Sequence, residues 1–184
     1  GKVNVSEEEL NKNISDNIDA GWMQCVPHDR QEREIVLLAG GPSMSSEIDR
    51  IRLLRENGCA LVTVNGAYKW ALDQGLKVSA QIVLDAREFN ARFVQPVTDD
   101  CRYLIASQCN PAVLTGLPYE RTYLWHAFVQ GINEQKILEK YGNFFPTPGG
   151  STVVLRAIPL LRMLGFYRIH VFGFDSCVMQ DGTH

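Results

Sequence analysis

The run Ile35-Val36-Leu37-Leu38-Ala39, broken at once by Gly40-Gly41-Pro42-Ser43, constrains this chain more than any other stretch. An apolar run without alternation suits a strand covered on both faces. Gly40 and Gly41 permit positive φ and close backbone approach, while Pro42 fixes φ and has no N–H to donate. Ser43, Ser45 and Ser46 are N-cap residue types, and Ile48, Ile51 and Leu54 follow at helical spacing. The unit therefore reads as strand, tight turn and helix N-terminus. Such a turn aims N–H groups and the positive end of a helix at one place, which suits a phosphate or carboxylate. Glycines after a strand also serve loops that merely turn. The stretch lacks the G-x-G-x-x-G spacing and has no Gly-Lys-Ser/Thr, which disfavours a nicotinamide dehydrogenase or a P-loop NTPase.

The same order recurs along the chain. Ala60–Val64 is a second buried strand ending at Asn65-Gly66, with a helix from Ala67 through Trp70 and Leu72. Ala80–Leu84 ends at Asp85, before a short helix over Glu88–Phe93. Cys101–Ala106 leads into Ser107-Gln108-Cys109-Asn110-Pro111, and Thr122–Trp125 ends at His126. A polar helix is expected between Gly131 and Gly142, then a rigid loop over Phe144–Pro148. Gly149-Gly150-Ser151-Thr152 opens an apolar helix that runs through Leu164 to a stop at Gly165. Arg168–Phe172 is a sixth strand ending at Gly173-Phe174-Asp175. Strands alternating with helices predict an α/β fold, a Rossmann-like three-layer sandwich with a mainly parallel sheet. Ligands of such sheets bind at the carboxyl ends of the strands, where Gly40, Asn65, Asp85 and Asp175 fall together.

Each feature has a plainer reading beside the functional one. Asp85 equally suits a helix cap. Gly149 and Gly150 offer either a second anion site or tight packing against a strand. His126 at a strand end, and His170 inside a strand, are more often structural than catalytic.

At the front, Ser6-Glu7-Glu8-Glu9 is a capping-box pattern, and Leu10, Ile14 and Ile18 place a helix over Ser6–Ala20. Its narrow apolar stripe suits packing on the outside of the main domain, with Trp22, Met23 and Pro27 in an irregular linker. Residues 1–33 are thus read as helix and linker, and 34–184 as one nucleotide-binding domain. The chain stops just after a candidate motif at Asp181-Gly182-Thr183-His184, which reads as the end of a fragment, so part of the site is expected beyond it.

A net charge of −3 gives no broad basic surface, so nucleic acid is not the expected partner. No apolar run reaches the ~20 residues that span a bilayer, and no signal peptide opens the chain, so no membrane is expected and the expected compartment is cytoplasmic. The five scattered cysteines read as reduced, buried thiols, and Cys25-x-x-His28 lacks the second pair a zinc site needs.

Five motifs in order, Gly40-Gly41-Pro42-Ser43-Met44, Val64-Asn65-Gly66-Ala67, Ile82-Val83-Leu84-Asp85, Gly149-Gly150-Ser151-Thr152 and Gly173-Phe174-Asp175, resemble the domain shared by archaeal 6-hydroxymethylpterin diphosphokinases and bacterial motility accessory factors. The resemblance runs from about Ile35 to the end. It implies a Rossmann-like fold akin to sialyltransferases that use CMP-activated sugars. By the resemblance, Gly40, Gly41, Pro42 and Ser43 would hold donor phosphate or nucleotide, and Asn65 would contact nucleotide or substrate. Asp85 and Asp175 would bind substrate or Mg2+, and Gly149, Gly150, Ser151 and Thr152 would supply further phosphate contacts. The closing segment looks most like the motility accessory branch. Its Gly-Thr-His is one residue short of that pattern, and Ser176 stands where leucine is usual.

The leading expectation is a transferase using ATP as donor, moving diphosphate to an alcohol, with Asp85, Asp175 and His184 as candidate catalytic groups. The alternative is transfer from a CMP-sugar to a small-molecule or glycan acceptor, with His184 or His126 as general acid or base. A third reading is a nucleotide-binding module without turnover.

Overall fold

A computed structural model describes residues 5–85, 88–127, 142, 144–149 and 152–174. Among them eight strands form one parallel sheet: β1 (Met23–Gln24), β2 (Ile35–Leu38), β3 (Ala60–Val64), β4 (Ala80–Val83), β5 (Arg102–Ala106), β6 (Thr122–Ala127), β7 (Pro146–Thr147) and β8 (Ile169–Phe172). The order is β1-β6-β5-β4-β3-β2-β8, with β7 pairing β6 off this path. β2 and β3 are buried along their whole length, as expected of strands covered on both faces. The α/β sandwich read from the strand and helix order is the fold observed.

Register puts the strand tips on one edge. Leu38 pairs with Thr63 on one side and with Phe172 on the other, Val64 with Ile82, Val83 with Ile105, and Ala106 with Trp125. The chain leaves β2 for β3 and steps outward to β6, then returns to lay β8 on the opposite side of β2. β2 is therefore where the winding reverses, the place where open α/β sheets hold ligands.

Four α-helices are described: α1 (Glu7–Asp19), α2 (Ile48–Glu56), α3 (Ala67–Asp73) and α4 (Val153–Met163). α1 begins as its sequence signals, with Ser6 Oγ accepting from the Glu9 N–H at 3.1 Å. Gly58 follows the α2 C-cap at φ 100°, and Gly165 follows that of α4 at φ 100°, the left-handed stops that glycine takes readily.

Three differences from the sequence reading matter. The helix expected over Ser45–Asn57 is preceded by a 3₁₀ segment over Pro42–Glu47, and the α-helix starts only at Ile48. No serine side chain caps it; Ser46 Oγ instead donates to the Ser43 carbonyl at 2.8 Å. The segment read as irregular linker contributes β1, parallel to β6. The loop expected at Phe144–Pro148 contributes β7, also parallel to β6. The polar helix expected between Gly131 and Gly142 falls almost wholly outside the described residues.

The core is the sheet's two faces, with Trp125, Tyr68 and Tyr103 among its largest fully buried side chains. Cys25, Cys59, Cys101 and Cys109 are free and buried, and burial pushes the Cys25 and Cys101 thiols up to about 12. They are packing residues, as expected. No described helix is long and apolar enough to cross a membrane.

Candidate functional site at the carboxyl edge

The tips of β2 and β3 enclose a cavity of about 270 Å³ lined by Gly40, Gly41, Pro42, Met44, Ser45, Gly66, Ala67 and Trp70. No charged side chain is among them. Gly40 takes φ 91°, and a Cβ there would lie 4.0 Å from that of Ala67, so glycine is needed for the backbone's turn and also keeps the cleft between the two tips open. The volume is just under the ~300–1,000 Å³ of pockets that bury a drug-sized ligand.

On the other side of β2 the tips are closed. The Gly41 N–H donates to the Gly173 carbonyl at 2.8 Å, so one of the amides that the sequence offered to a ligand is engaged inside the fold. Gly173 takes φ 75°, and a Cβ there would stand 2.6 Å from Met44 Cγ and 2.8 Å from the Gly41 nitrogen. This glycine is required twice over, by backbone angle and by space.

Asn65 stands immediately after β3 in the left-handed region, with φ 47°. That conformation costs most side chains about 1–2 kcal/mol, and asparagine tolerates it better than most. Its main-chain carbonyl accepts from Gln81 Nε2 at 2.8 Å, and the same amide group donates to the Phe93 carbonyl at 2.8 Å. Gln81 Oε1 accepts from Thr63 Oγ1 at 2.6 Å. Gln81 is fully buried in the middle of the sheet, so its amide is committed to holding the Asn65 turn. The side-chain Oδ1 of Asn65 is buried and has no hydrogen-bond partner among the described residues.

Asp85 follows β4, partly exposed, next to the loop after β5. Its charge, together with the larger effect of burial, pushes the Cys109 thiol upward. That loop is gripped from outside the sheet. Asn17 Nδ2 on α1 donates to the Ser107 carbonyl at 2.9 Å and to the Cys109 carbonyl at 2.7 Å, and Asn13 Nδ2 donates to the Gln108 carbonyl at 3.0 Å. Gln108 Nε2 reaches back to the Leu84 carbonyl at 3.3 Å, one residue before Asp85, while its Oε1 is buried without a partner among the described residues. α1 therefore packs on the outside of the sandwich, as expected, and also fixes a loop of the site.

His126 lies inside β6, one position short of its end. Its Nε2 is 2.6 Å from Gln24 Oε1 and its Nδ1 2.8 Å from Ser107 Oγ, and the ring meets Phe144 edge-on at 4.9 Å between centroids. Gln24 Oε1 can only accept, which places the proton on Nε2 and makes Ser107 the donor to Nδ1. Burial lowers the His126 pKa to about 4. A ring closed at both nitrogens and neutral at pH 7 is a structural histidine, so the general acid or base role raised for it does not fit. His170 pairs with Glu34 at 2.8 Å, near the opposite edge of the sheet.

Gly149 serves packing: a Cβ there would lie 2.6 Å from the Leu155 carbonyl at the start of α4. Thr152 caps α4, its Oγ1 accepting from the Leu155 N–H at 3.3 Å. Ser43, Asn65 and Asp85 do not line the cavity, although they belong to the same edge. Gly150, Ser151, Asp175 and His184 lie outside the described residues. No three His, Cys, Asp or Glu side chains come together as a metal site among the described residues. Asp85 supplies a carboxylate, the kind of oxygen donor that Mg2+ prefers, at the tip of β4. Sequence reasoning missed Gln81 and Gln108; the signal available for Gln81 was a lone polar residue within an apolar strand.

A family model described as 6-hydroxymethylpterin diphosphokinase MptE-like matches residues 8–181. The match reaches into α1, further forward than the motif resemblance that began near Ile35. No curated protein matches the chain. Among solved structures, that of the MAf glycosyltransferase from Magnetospirillum magneticum AMB-1 superposes with a TM-score of 0.73 at 18% identity. The superposition covers 94% of this chain and 28% of that protein, so the two share a fold over a minor part of the larger molecule.

Proposed function

The chain belongs to the 6-hydroxymethylpterin diphosphokinase MptE-like family, and from that membership we propose that it is a transferase that binds a nucleotide-activated donor along the carboxyl edge of its sheet. The observation that carries this reading is the uncharged cavity between the tips of β2 and β3. Small residues and the absence of a carboxylate in its wall allow an anionic group close approach.

The reaction favoured is diphosphoryl transfer from ATP to an alcohol. The acceptor oxygen bonds to the β-phosphorus of ATP, the bond from that phosphorus to the α,β-bridging oxygen breaks, AMP leaves, and the hydroxyl proton passes to a base. Asp85, at the tip of β4, is the described carboxylate proposed to orient that hydroxyl. Asp175 and His184 are proposed from the resemblance alone. Mg2+, if bound by Asp85 and donor phosphates, would supply charge neutralisation at the transferring group. The second reading is glycosyl transfer from a CMP-activated nine-carbon sugar to a small-molecule or glycan acceptor. It is supported by the shared fold with the MAf glycosyltransferase.

A thermal-shift titration against ATP, GTP, CTP, CMP and CMP-sialic acid, each with and without Mg2+, tests the proposal. A ligand at about 100 times its Kd adds ~2.7 kcal/mol of apparent stability, which a melting curve resolves. A Mg2+-dependent shift with ATP supports diphosphoryl transfer, and a metal-independent shift with cytidine nucleotides supports the glycosyltransferase. No shift with any nucleotide contradicts both.

A further inference from the structure

The cavity between β2 and β3 has walls suited to one part of a nucleotide more than to another. Pro42, Met44, Ala67 and Trp70 line it with apolar side chains, Gly40, Gly41 and Gly66 with backbone, and Ser45 brings the only hydroxyl. A phosphate held by a loop needs several amides turned toward it. Here the Gly41 N–H is taken by the Gly173 carbonyl at 2.8 Å and the Met44 N–H by the Gly41 carbonyl at 3.3 Å, while Pro42 has no N–H. Of the residues from Gly40 to Met44, three therefore have no N–H to offer a phosphate.

The tryptophans show what the walls offer instead. Trp125 is fully buried, and its Nε1 donates to the Leu104 carbonyl at 3.1 Å. Trp22 stacks on Tyr119 with 6.0 Å between ring centroids. Trp70 is half-buried and borders the cavity, and among the described residues its ring has neither a hydrogen bond nor an aromatic partner. Gly66, Ala67 and Trp70 stand one turn apart, so the start of α3 turns a single face to the cavity. That helix is held in place by Tyr68, which is fully buried; its hydroxyl donates to the Pro96 carbonyl and lies 2.8 Å from the hydroxyl of Tyr103. An indole on an anchored helix beside an open, uncharged space is a stacking platform for a flat heterocycle.

Building on the reading that this cleft receives the donor, we propose that Trp70 stacks on the nucleobase of the donor nucleotide, which sits in the cavity while the phosphates lie outside it. Every base has a flat face, so the contact supplies affinity rather than a choice among bases.

The test compares wild type with Trp70→Phe and Trp70→Leu, with melting temperatures as the check on folding. Calorimetry measures binding of ATP with Mg2+, CMP-sialic acid, the phosphate-free nucleosides adenosine and cytidine, inorganic triphosphate and 6-hydroxymethylpterin. The nucleotide that wild type binds, and the matching nucleoside, should bind Trp70→Leu at least about tenfold more weakly and Trp70→Phe within about fivefold of wild type. Inorganic triphosphate should not distinguish the three proteins. Tryptophan fluorescence should change when the nucleoside binds wild type, and Trp70→Phe should lack that change. Equal nucleotide affinity in wild type and Trp70→Leu overturns the role of Trp70 while leaving the transferase reading intact. Equal losses in both variants with lowered melting temperatures mark Trp70 as structural and overturn it too. A loss confined to the pterin places the acceptor in the cavity and overturns the assignment to the base. A wild-type protein that binds no nucleotide overturns the transferase reading and this inference with it.

Discussion

The side-chain amide of Gln81 donates a 2.8 Å hydrogen bond to the main-chain carbonyl of Asn65, tying a residue in the middle of one strand to the turn at the tip of its neighbour. The same amide holds the Phe93 carbonyl, so one buried group sets the position of the turn and of the segment covering it.

Replacing Gln81 by Leu removes both bonds and leaves the two carbonyls and the Thr63 hydroxyl without it. Leaving a buried polar group unsatisfied costs about 1–3 kcal/mol. The expected outcome is a loss of stability of roughly 2–4 kcal/mol in urea unfolding, with nucleotide affinity falling as the Asn65 turn loosens.

Asn65 itself separates backbone strain from recognition. Asn65→Ala keeps φ 47° with a side chain less tolerant of it and is expected to cost about 1 kcal/mol of stability. Asn65→Gly removes that strain together with the unpartnered Oδ1, and its stability should match wild type to within about 0.5 kcal/mol. Both variants should leave nucleotide affinity near that of wild type, because Asn65 does not line the cavity and its Oδ1 is buried. Urea unfolding paired with calorimetry checks the two effects independently.

A pair of glycines measures the closed side of β2. A Cβ added at Gly75, which takes φ 77°, would have nothing within 4 Å, whereas one added at Gly173, at φ 75°, would meet Met44 and the Gly41 nitrogen. Gly75→Ala should cost about 1 kcal/mol, the effect of the backbone angle alone. Gly173→Ala should cost at least ~2 kcal/mol more, since the tips of β2 and β8 must part. The difference in urea midpoints reports the close approach.

His126 predicts a pH dependence with a definite sign. Its proton is taken up near 6.5 in the unfolded chain but only near 4 in the folded one. Between those values the unfolded state binds more protons, so stability falls as pH drops. The stabilisation is fully present above about pH 6.5 and is lost progressively toward pH 4, up to roughly 3 kcal/mol. The wild-type stability minus that of His126→Gln, measured by urea unfolding from pH 7.5 to 4.5, should shrink as pH falls; a difference that stays constant contradicts the assignment.

What could be read from the sequence follows from which forces are local. β2, β3 and β4 were legible because strands covered on both faces are written as mainly apolar runs, interrupted here by Thr63 and Gln81, and Asn65 and Asp85 could be placed at strand tips by the same runs. The 3₁₀ segment at Pro42–Glu47 was not legible, since Pro42 and the serines suit either helix type. Asn13 and Asn17 sit at i and i+4 beside Leu10, Ile14 and Ile18, which marks them as facing the protein. Their partners lie in the loop after β5, a relation no local pattern encodes. His126 was placed at a strand end and proved to be inside the strand, because β6 is extended through Ala127 by pairing with β7.

The central claim is that the cleft between β2 and β3 receives the donor nucleotide. Gly66 is the position to block: it has an ordinary helical φ of −65°, and its Cβ would meet only Phe93, at 3.9 Å. Gly66→Leu therefore fills the cavity without forcing the backbone. Calorimetric titration of wild type and Gly66→Leu with ATP and Mg2+, and with CMP-sialic acid, is the most direct measurement. Wild type should bind one of these donors, and Gly66→Leu, folded with a melting temperature near that of wild type, should bind it at least about tenfold more weakly. Equal affinity in the two proteins would contradict the claim.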